Sequence, residues 1–362
     1  MHTSSERIYY PALDGLRGVA ILLVVFYHNF GFINYFFFGW LGVDLFFVLS
    51  GFLITDILLK TRNQPYYLKN FYIRRVLRIF PLYYLSLIVF FILFPLFNVE
   101  ALDLNYYVEH QIWFWTYLQN WLFIFQPAAD DTAALNHFWS LAVEEQFYLG
   151  WPFLILVFRR TKNLIYLLTV LLVSVITLRF VLWSYQIENL AYFNLYTFSR
   201  IDGICIGSLL AVLRLVKHEA VNRYFTLIVL GLAVLNFLFY FFNKENQFSY
   251  PYLAIAGYTT FAIIFGLLVN EVVERQDTVI SRVLAFPCLR FFGNISYSLY
   301  VFHWPLYLLL APFLRGWSEQ HLRFLNASIM ASLVSTLLAI LLALLSFHFF
   351  EKKFLVLKNK FK

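Results

Sequence analysis

Charged side chains are scarce in this chain of 362 residues. Asp, Glu, Lys and Arg together make up 13% of it, whereas hydrophobic residues make up 62% and the mean hydropathy is +0.72. Soluble domains carry about 25% charged and about 45–50% apolar residues. The composition therefore excludes an ordinary soluble protein. It predicts an all-α, polytopic integral membrane bundle, since helices satisfy their own backbone hydrogen bonds in lipid.

Cysteine is almost absent as well. Cys205 and Cys288 lie far apart in the sequence, which excludes a disulfide framework and a thiolate metal site, so no metal is expected. The net charge of +7 would suggest nucleic acid as the partner of a soluble protein. In a membrane protein it is better explained by basic loops on one side of the lipid bilayer. No nucleic-acid partner is therefore expected.

Ten runs have the length of about 20 apolar residues that a membrane span needs. They lie near 16–36, 39–59, 76–98, 138–158, 163–183, 200–216, 224–242, 251–271, 292–313 and 324–350. An eleventh run, 106–126, is flanked by acidic loops without Lys or Arg: Glu100, Asp103, Glu109, Asp130 and Asp131. Its tryptophans suit the headgroup region. We therefore expect an interfacial or re-entrant segment there.

The distribution of basic residues gives this topology a test. With about ten spans and both termini in the cytoplasm, 22 of the 27 Lys and Arg residues fall on the cytoplasmic side, as the positive-inside rule requires. An eleven-span arrangement inverts everything after residue 126 and loses this asymmetry. The chain is thus predicted to form one transmembrane domain over 1–350 and a basic cytoplasmic tail over 351–362.

The first span carries a cation and an imidazole on one face. Arg17 and His28 are eleven residues apart, which places them within about 20° of each other around the helix and roughly 16 Å apart along it. Arg17 alone is better explained as a snorkelling anchor at the membrane surface. An imidazole inside a span marks either function or a structural bond within the bundle.

Two arginines share a face where the third span begins. Arg75 and Arg78 stand at i and i+3, and a guanidinium binds phosphate through a bidentate fork. The alternative is a positive-inside cluster that only fixes topology.

Adjacent carboxylates lie inside the fourth span. Glu144 is seven residues after His137 and shares its helix face, and Glu145 adds a second acid. Arg200 and Asp202 are candidate polar partners, because paired acids are costly in a membrane. For Glu145, Arg200 and Asp202 a structural ion-pair network is the alternative.

Two further polar residues lie in spans. Asp44 enters the second span, and His303 lies in the ninth with Ser296 on the same face. We expect a polar layer in the outer half of the bundle, formed by His28, Asp44, Glu144 and His303. Below it, at the inner surface, we expect a basic layer formed by Arg17, Arg75 and Arg78. A histidine near carboxylates suits general base catalysis on a hydroxyl. A basic inner layer suits an anionic cytosolic donor.

These segments together resemble a known family. The motifs are LDGLRG at 13–18, GVDLFFVLSGF at 42–52, RVLRIFP at 75–81, WSLAVEEQFY at 139–148, RID at 200–202 and SYSLYVFH at 296–303. Each is weak alone, but the ordered set is specific and covers nearly the whole chain. It resembles the membrane acyltransferase 3 family, the O-acetyltransferases of bacterial surface polysaccharides.

The resemblance implies an enzyme of the bacterial cytoplasmic membrane. It would move an acyl group, usually acetyl, from acyl-CoA as co-substrate to a hydroxyl of a cell-surface or lipid-linked carbohydrate. The arginine–histidine pair of the family matches Arg17 and His28, and its paired-arginine motif matches Arg75 and Arg78. Members often carry an additional periplasmic hydrolase-like domain. Here the transfer is expected to be completed alone or handed to a separate periplasmic or extracellular transferase.

The expected mechanism joins both lines of reasoning. The CoA phosphates dock on the three arginines, and His28 acts as general base or accepts the acyl group transiently. Glu144 and Asp44 would orient its imidazole, and a second shell would comprise Glu145, His137, Arg200, Asp202, Ser296 and His303. The alternative function is a secondary transporter or flippase for a lipid-linked saccharide, which would also need a polar path through the membrane.

Overall fold

The structure, a computed structural model, describes residues 9–96, 104–127, 134–185, 187, 189, 191–216, 220–243, 253–321 and 326–361. In this part of the chain every regular element is a helix. The first half contains α1 (Pro11–Phe30), α2 (Leu41–Thr61), α3 (Tyr67–Ile88), α4 (Phe94–Leu96), α5 (Leu104–Glu109), α6 (Gln111–Trp115), α7 (Gln119–Phe125), α8 (Trp139–Val157) and α9 (Thr161–Ser184).

The second half contains α10 (Ala191–Asn194), α11 (Thr197–Arg200), α12 (Asp202–Arg214), α13 (Ala220–Asn243), α14 (Tyr258–Glu274), α15 (Val279–Leu284), α16 (Pro287–Asn294), α17 (Ser296–His321), α18 (Ala327–Leu345) and α19 (Lys352–Lys358). Short 3₁₀ segments cover Asn34–Trp40 and Asn136–Phe138, and π-helical segments cover Val89–Leu93, Leu253–Gly257 and Ser346–Glu351.

Seven helical stretches among the described residues are long and apolar enough to cross a membrane. They are Pro11–Phe30, Asn34–Thr61, Tyr67–Leu96, Thr161–Ser184, Ile255–Glu274, Ser296–His321 and Ala327–Lys358. The prediction of a helical, multi-pass membrane protein is therefore confirmed. The three other predicted spans correspond to α8, the 13-residue α12 and α13, so the count of ten stays a prediction, as does the position of the termini.

The ambiguous run 106–126 folds as three short helices, α5, α6 and α7, and not as one continuous span. This agrees with an interfacial or re-entrant segment. Several charged residues used in the topology argument lie outside the described residues: Arg7, Glu100, Asp103, Asp130, Asp131, Lys217, Lys244, Arg323 and Lys362.

Contacts between α1 and α17 fix their relative direction. Arg17 bonds to Ser296, and His28, eleven residues later, meets His303, seven residues after Ser296. Both helices therefore run the same way. The first and ninth of ten spans must be parallel, whereas the eleven-span arrangement would make these two helices antiparallel. The packing thus favours a segment 106–126 that does not cross.

Helix α3 extends beyond the predicted span. The third span was expected to begin near residue 76, whereas the helix begins at Tyr67. Hydropathy detects only the apolar part of a helix, and the first turns of α3 carry Lys69, Asn70 and Arg74. Arg75 therefore lies well inside the helix and not at its entry.

Helices α2 and α12 approach with their backbones in direct contact. A Cβ atom on Gly51 would lie 2.0 Å from the carbonyl oxygen of Ile204, and one on Gly207 would lie 2.0 Å from that of Val48. Small residues allow this approach between membrane helices, where packing drives association. The contact holds α2 beside the cavity described next.

Candidate active site

A cavity of about 290 Å³ lies between α1, α2, α3, α8 and α17. Its polar lining contains six of the twelve predicted site residues, Arg17, Arg75, Arg78, Glu144, Glu145 and Ser296, together with Asp14, Ser50, Ser140, Tyr148, Tyr297 and Tyr300. Small-molecule pockets begin at roughly 300 Å³. The cavity is thus close to the size of a small ligand, and the predicted basic layer lines it.

Glu144 is held on the cavity wall by two hydroxyl groups. Ser50 Oγ donates to one carboxylate oxygen at 2.9 Å, and Tyr148 OH donates to the other at 3.0 Å. The guanidinium of Arg75 lies over the Tyr148 ring, 5.5 Å from its centroid. The Glu144 carboxylate therefore lies near Arg75, with Tyr148 in contact with both. The neighbouring Glu145 has a buried Oε1 atom without a hydrogen-bond partner among the described residues.

The three cavity arginines form no salt bridge within the described part of the chain. Arg17 donates to the hydroxyl of Ser296 at 3.1 Å, and Arg75 stacks on aromatic rings. Asp14, Glu144 and Glu145 line the same cavity but form no salt bridge with these cations, and a partly buried cation without a close partner is costly. An anionic ligand in the cavity would supply close partners.

Beyond one end of the cavity lie three imidazoles. The rings of His28 and His303 have centroids 5.0 Å apart, and His137 lies 5.2 Å from His303 and 6.4 Å from His28. His303 and His137 are buried, with 0% and 3% of their surfaces exposed, whereas His28 is half-buried. Of the three rings, that of His28 is therefore the most exposed among the described residues.

The hydrogen bonds assign the protons in this cluster. Nδ1 of His303 contacts the carbonyl oxygens of Leu299 and Tyr300 at 3.1 and 2.8 Å, so it carries the proton. Its Nε2 must then accept from Nδ1 of His28 at 3.2 Å. Nδ1 of His28 also lies 3.0 Å from the carbonyl oxygen of Val24, which likewise requires a proton there. The Nε2 lone pair of His28 is therefore left as the base.

His137 has no well-formed hydrogen bond at either ring nitrogen within the described residues. A neutral imidazole always carries one N–H, and leaving buried polar groups unpaired costs roughly 1–3 kcal/mol each. Its backbone is firmly held, because Tyr300 OH donates to the His137 carbonyl at 2.6 Å and lies 2.6 Å from Ser140 Oγ. Tyr300 and Ser140 line the cavity, so they join it to the histidines.

Asp44 belongs to a different cluster. Its carboxylate pairs with Arg200 at 2.8 Å, and Asp202 pairs with Arg179 at 2.8 Å and accepts from Thr259 at 2.7 Å. All four charged groups are buried. The structural ion-pair network considered from the sequence is thus present for Arg200 and Asp202. It contains Asp44 and Arg179, and Glu145 is not part of it.

The expected outer layer therefore has a different membership. His303, not Glu144 or Asp44, is the hydrogen-bond partner of His28. His137 lies at the level of the other two imidazoles, where Glu144 was expected. Glu144 is seven residues further along the chain, which corresponds to about 10 Å along a helix. Ser296, which was expected in the second shell, lies away from the imidazoles. Its hydroxyl accepts from Arg17 at the basic end of the cavity.

Sequence reasoning passed over Ser50, Tyr300 and Arg179. Ser50 and Tyr300 lie within the family motifs but were not singled out as site residues. A hydroxyl group in an apolar span usually bonds to a polar group of another helix, and this was the signal that could have found them. Arg179 lies inside the predicted span 163–183, toward its outer half, and was not considered as a site residue. Its location within the apolar helix α9 was the signal that it needs a buried acid.

A family model described as an acyltransferase domain matches residues 10–348. The chain belongs to this acyltransferase family. The resemblance drawn from the ordered motifs is thereby confirmed. No solved structure matches the chain significantly.

Curated relatives match over most of the chain. It is 32% identical to peptidoglycan O-acetyltransferase OatA of Listeria monocytogenes, with 99% of this chain and 57% of the relative covered. It is 30% identical to the "Putative peptidoglycan O-acetyltransferase YrhL" of Bacillus subtilis, with 86% of this chain and 50% of the relative covered. It is also 30% identical to a "Putative O-acetyltransferase" of Staphylococcus aureus, with 82% of this chain and 50% of the relative covered. The acyltransferase chain thus spans about half the length of these relatives.

Proposed function

We propose that the chain is an O-acyltransferase of the bacterial cytoplasmic membrane that moves an acetyl group from acetyl-CoA to a hydroxyl of a cell-wall carbohydrate. The observation that carries the proposal is the cavity: three guanidinium groups line it without a salt bridge to any described residue, and the hydroxyl groups of Tyr300 and Ser140 connect it to the backbone of His137 in the imidazole cluster. The names of the relatives, peptidoglycan O-acetyltransferases, support the acyl group and the acceptor class.

The donor binds from the end of the bundle predicted to face the cytoplasm. Arg75 and Arg78 share one face of α3, and Arg17 faces them across the cavity, so together they bind the diphosphate of CoA through bidentate hydrogen bonds. Glu144 and Glu145 lie beside the path of the pantetheine arm, where a carboxylate can accept from its amide N–H groups. The thioester end then points toward Tyr300.

The chemical step takes place at the imidazole cluster. Nε2 of His28 removes the proton of the acceptor hydroxyl as that oxygen attacks the thioester carbonyl. The tetrahedral oxyanion accepts a hydrogen bond from the ring N–H of His137, which has no well-formed partner among the described residues and is the kind of donor that acyl transfer requires. Collapse of this intermediate breaks the carbon–sulfur bond, and the imidazolium returns its proton to the CoA thiolate. General base catalysis of this kind contributes about 10²–10⁴ in rate.

Tyr300 stands between the donor cavity and the histidines. Its ring lies 5.3 Å from that of His137 and 5.8 Å from that of His303, and the residue also lines the cavity. The acyl group must therefore pass this side chain to reach His28. The bond from Tyr300 to the His137 carbonyl has to open or shift during each turnover.

Transfer of a labelled acetyl group tests the proposal. Membranes containing the protein are incubated with acetyl-CoA labelled in the acetyl group, and label in the isolated saccharide is counted. The wild-type chain should label the saccharide and His28→Ala should not. His348→Ala is the matched control, since His348 also contacts its i−4 carbonyl at 3.0 Å but is exposed; it should retain activity.

The same experiment separates the alternative functions. Movement of unmodified saccharide across the membrane without labelling would support a transporter or flippase. Full activity of the inserted His28→Ala variant would remove His28 from the chemistry. Labelling by the purified chain in liposomes would show that no separate periplasmic transferase is needed, whereas labelling only after addition of a second protein would identify such a partner.

A further inference from the structure

A second, smaller cavity adjoins the first at its basic end. It has a volume of about 90 Å³ and shares Ile57, Arg75 and Arg78 with the larger cavity. Its remaining lining comes from the α2–α3 connection, the start of α3 and one residue of the C-terminal helix: Thr61, Gln64, Pro65, Tyr67, Asn70, Phe71, Arg74 and Lys358. The two cavities therefore meet at the arginine pair.

The charges lining the two cavities are unequal. The larger cavity has three guanidinium groups but also three carboxylic acids, Asp14, Glu144 and Glu145. The smaller cavity is lined by three arginines and Lys358, and by no carboxylate among the described residues. An anion with several charges is therefore most favourable at the smaller cavity, and a neutral chain at the larger one.

The C-terminal helix is fixed in place beside this cavity. Nη1 of Arg74 donates to the carbonyl of Phe361 at 3.3 Å, which ties the end of the chain to α3. At the start of α19, Glu351 accepts from Ser298 at 2.5 Å and from Ser346 at 2.9 Å. Lys358 thus belongs to a segment held at both ends, although it lies beyond the residues that the family model matches.

We propose that Lys358 and Arg74 bind the ribose 3′-phosphate of CoA, so that the C-terminal helix forms part of the donor site. This inference rests on the proposed function, since it assumes that CoA is the donor. Coenzyme A carries a phosphate monoester on the ribose in addition to its diphosphate, and the two groups need separate cations. The smaller cavity binds the monoester, the shared Arg75 and Arg78 bind the diphosphate, and the arm extends into the larger cavity.

Comparison of two ligands tests this assignment. Binding of CoA and of 3′-dephospho-CoA to the purified full chain is measured by titration calorimetry in a neutral detergent. The wild-type protein should bind CoA about tenfold more tightly, the effect of one charge-assisted phosphate contact. In Lys358→Ala the affinity for CoA should fall about 5- to 10-fold, while that for 3′-dephospho-CoA stays unchanged.

The outcomes separate this inference from the proposed function. Equal losses for both ligands, or no loss for either, would overturn the 3′-phosphate site and leave the donor intact. Failure of the wild-type protein to bind either ligand would overturn the donor and this site together. Lys360→Ala is the matched control, because Lys360 is exposed on the same tail and lines neither cavity; it should retain the wild-type preference for CoA.

A lipid headgroup offers the same phosphate chemistry, so a second arm of the experiment distinguishes the two sources. The titrations are repeated with phosphatidylglycerol added to the micelles. If the monoester of CoA is the ligand, the Lys358-dependent preference for CoA persists. If Lys358→Ala instead reduces only the binding of phosphatidylglycerol, the site belongs to lipid and the proposal is wrong.

Discussion

Replacing His303 by leucine is expected to slow acyl transfer about 10- to 150-fold without changing KM for the donor. Nε2 of His303 accepts from Nδ1 of His28 at 3.2 Å, and this bond becomes charge-assisted when His28 takes a proton. Hydrogen bonds to charged groups contribute about 1.5–3 kcal/mol, which corresponds to that range of rates. His303 is thus a positioning residue for the base.

The loss should be smaller than that caused by removing His28 itself. The carbonyl oxygen of Val24, 3.0 Å from Nδ1 of His28, still accepts in the variant and keeps the proton on that nitrogen. His303→Gln should recover much of the rate, because its amide oxygen can accept near the position of Nε2. A purely structural role would instead make the leucine and glutamine variants equally slow, with equal losses of thermal stability.

The assay is the initial rate of labelled acetyl transfer over a range of acetyl-CoA concentrations, with kcat and KM fitted separately. Thermal unfolding of each purified variant is followed in parallel. His348→Leu serves as the control for loss of an exposed imidazole. Unchanged kcat in His303→Leu, or a glutamine variant as slow as leucine at wild-type stability, would refute the reasoning.

Three further substitutions probe the scaffold and the donor site. Gly51→Ala should lower Tm by about 2–10 °C, since an overpacked contact costs about 1–3 kcal/mol. Gly150→Ala should leave Tm unchanged, because nothing lies within 4 Å of its Cβ position. Equal Tm values for the two variants would contradict the close packing of α2 on α12. Asp44→Asn should lower the free energy of chemical unfolding by about 3–5 kcal/mol, because it leaves Arg200 buried without its partner. The double variant Asp44→Asn with Arg200→Met should recover most of this loss. An unchanged free energy of unfolding in Asp44→Asn would contradict the buried ion pair. Arg75→Lys should weaken CoA binding in a titration by losing the bidentate fork, and unchanged affinity would leave this residue a topology anchor.

Composition and periodicity predicted the membrane class and the helical architecture because lipid permits few alternatives. The parallel arrangement of α1 and α17 also agrees with the topology drawn from basic residues. The three arginines, predicted as one basic layer, line the same cavity, whereas Glu144 was predicted in the outer layer and instead lies beside them with Glu145. Charges are rare in spans, so each of them was visible in the sequence.

The partners of these groups could not be predicted, because spacing along one helix says nothing about which helix packs against it. Asp44 was expected beside His28 and instead pairs with Arg200. His303 was expected at the depth of His28, but only the packing of α17 on α1 shows that the two imidazoles bond. The position of Lys358 in the lining of the smaller cavity likewise results from tertiary packing. From the sequence, the tail was predicted only as a separate basic segment.

The central claim is that the cavity is the path of the acyl donor from the arginines to the imidazole cluster. An experimental structure with a non-hydrolysable thioether analogue of acetyl-CoA tests it most directly. We predict the diphosphate at Arg75 and Arg78, the arm within the 290 Å³ cavity, and the acyl end beside Tyr300. An analogue bound elsewhere, with this cavity empty and His28 facing lipid, would contradict the account.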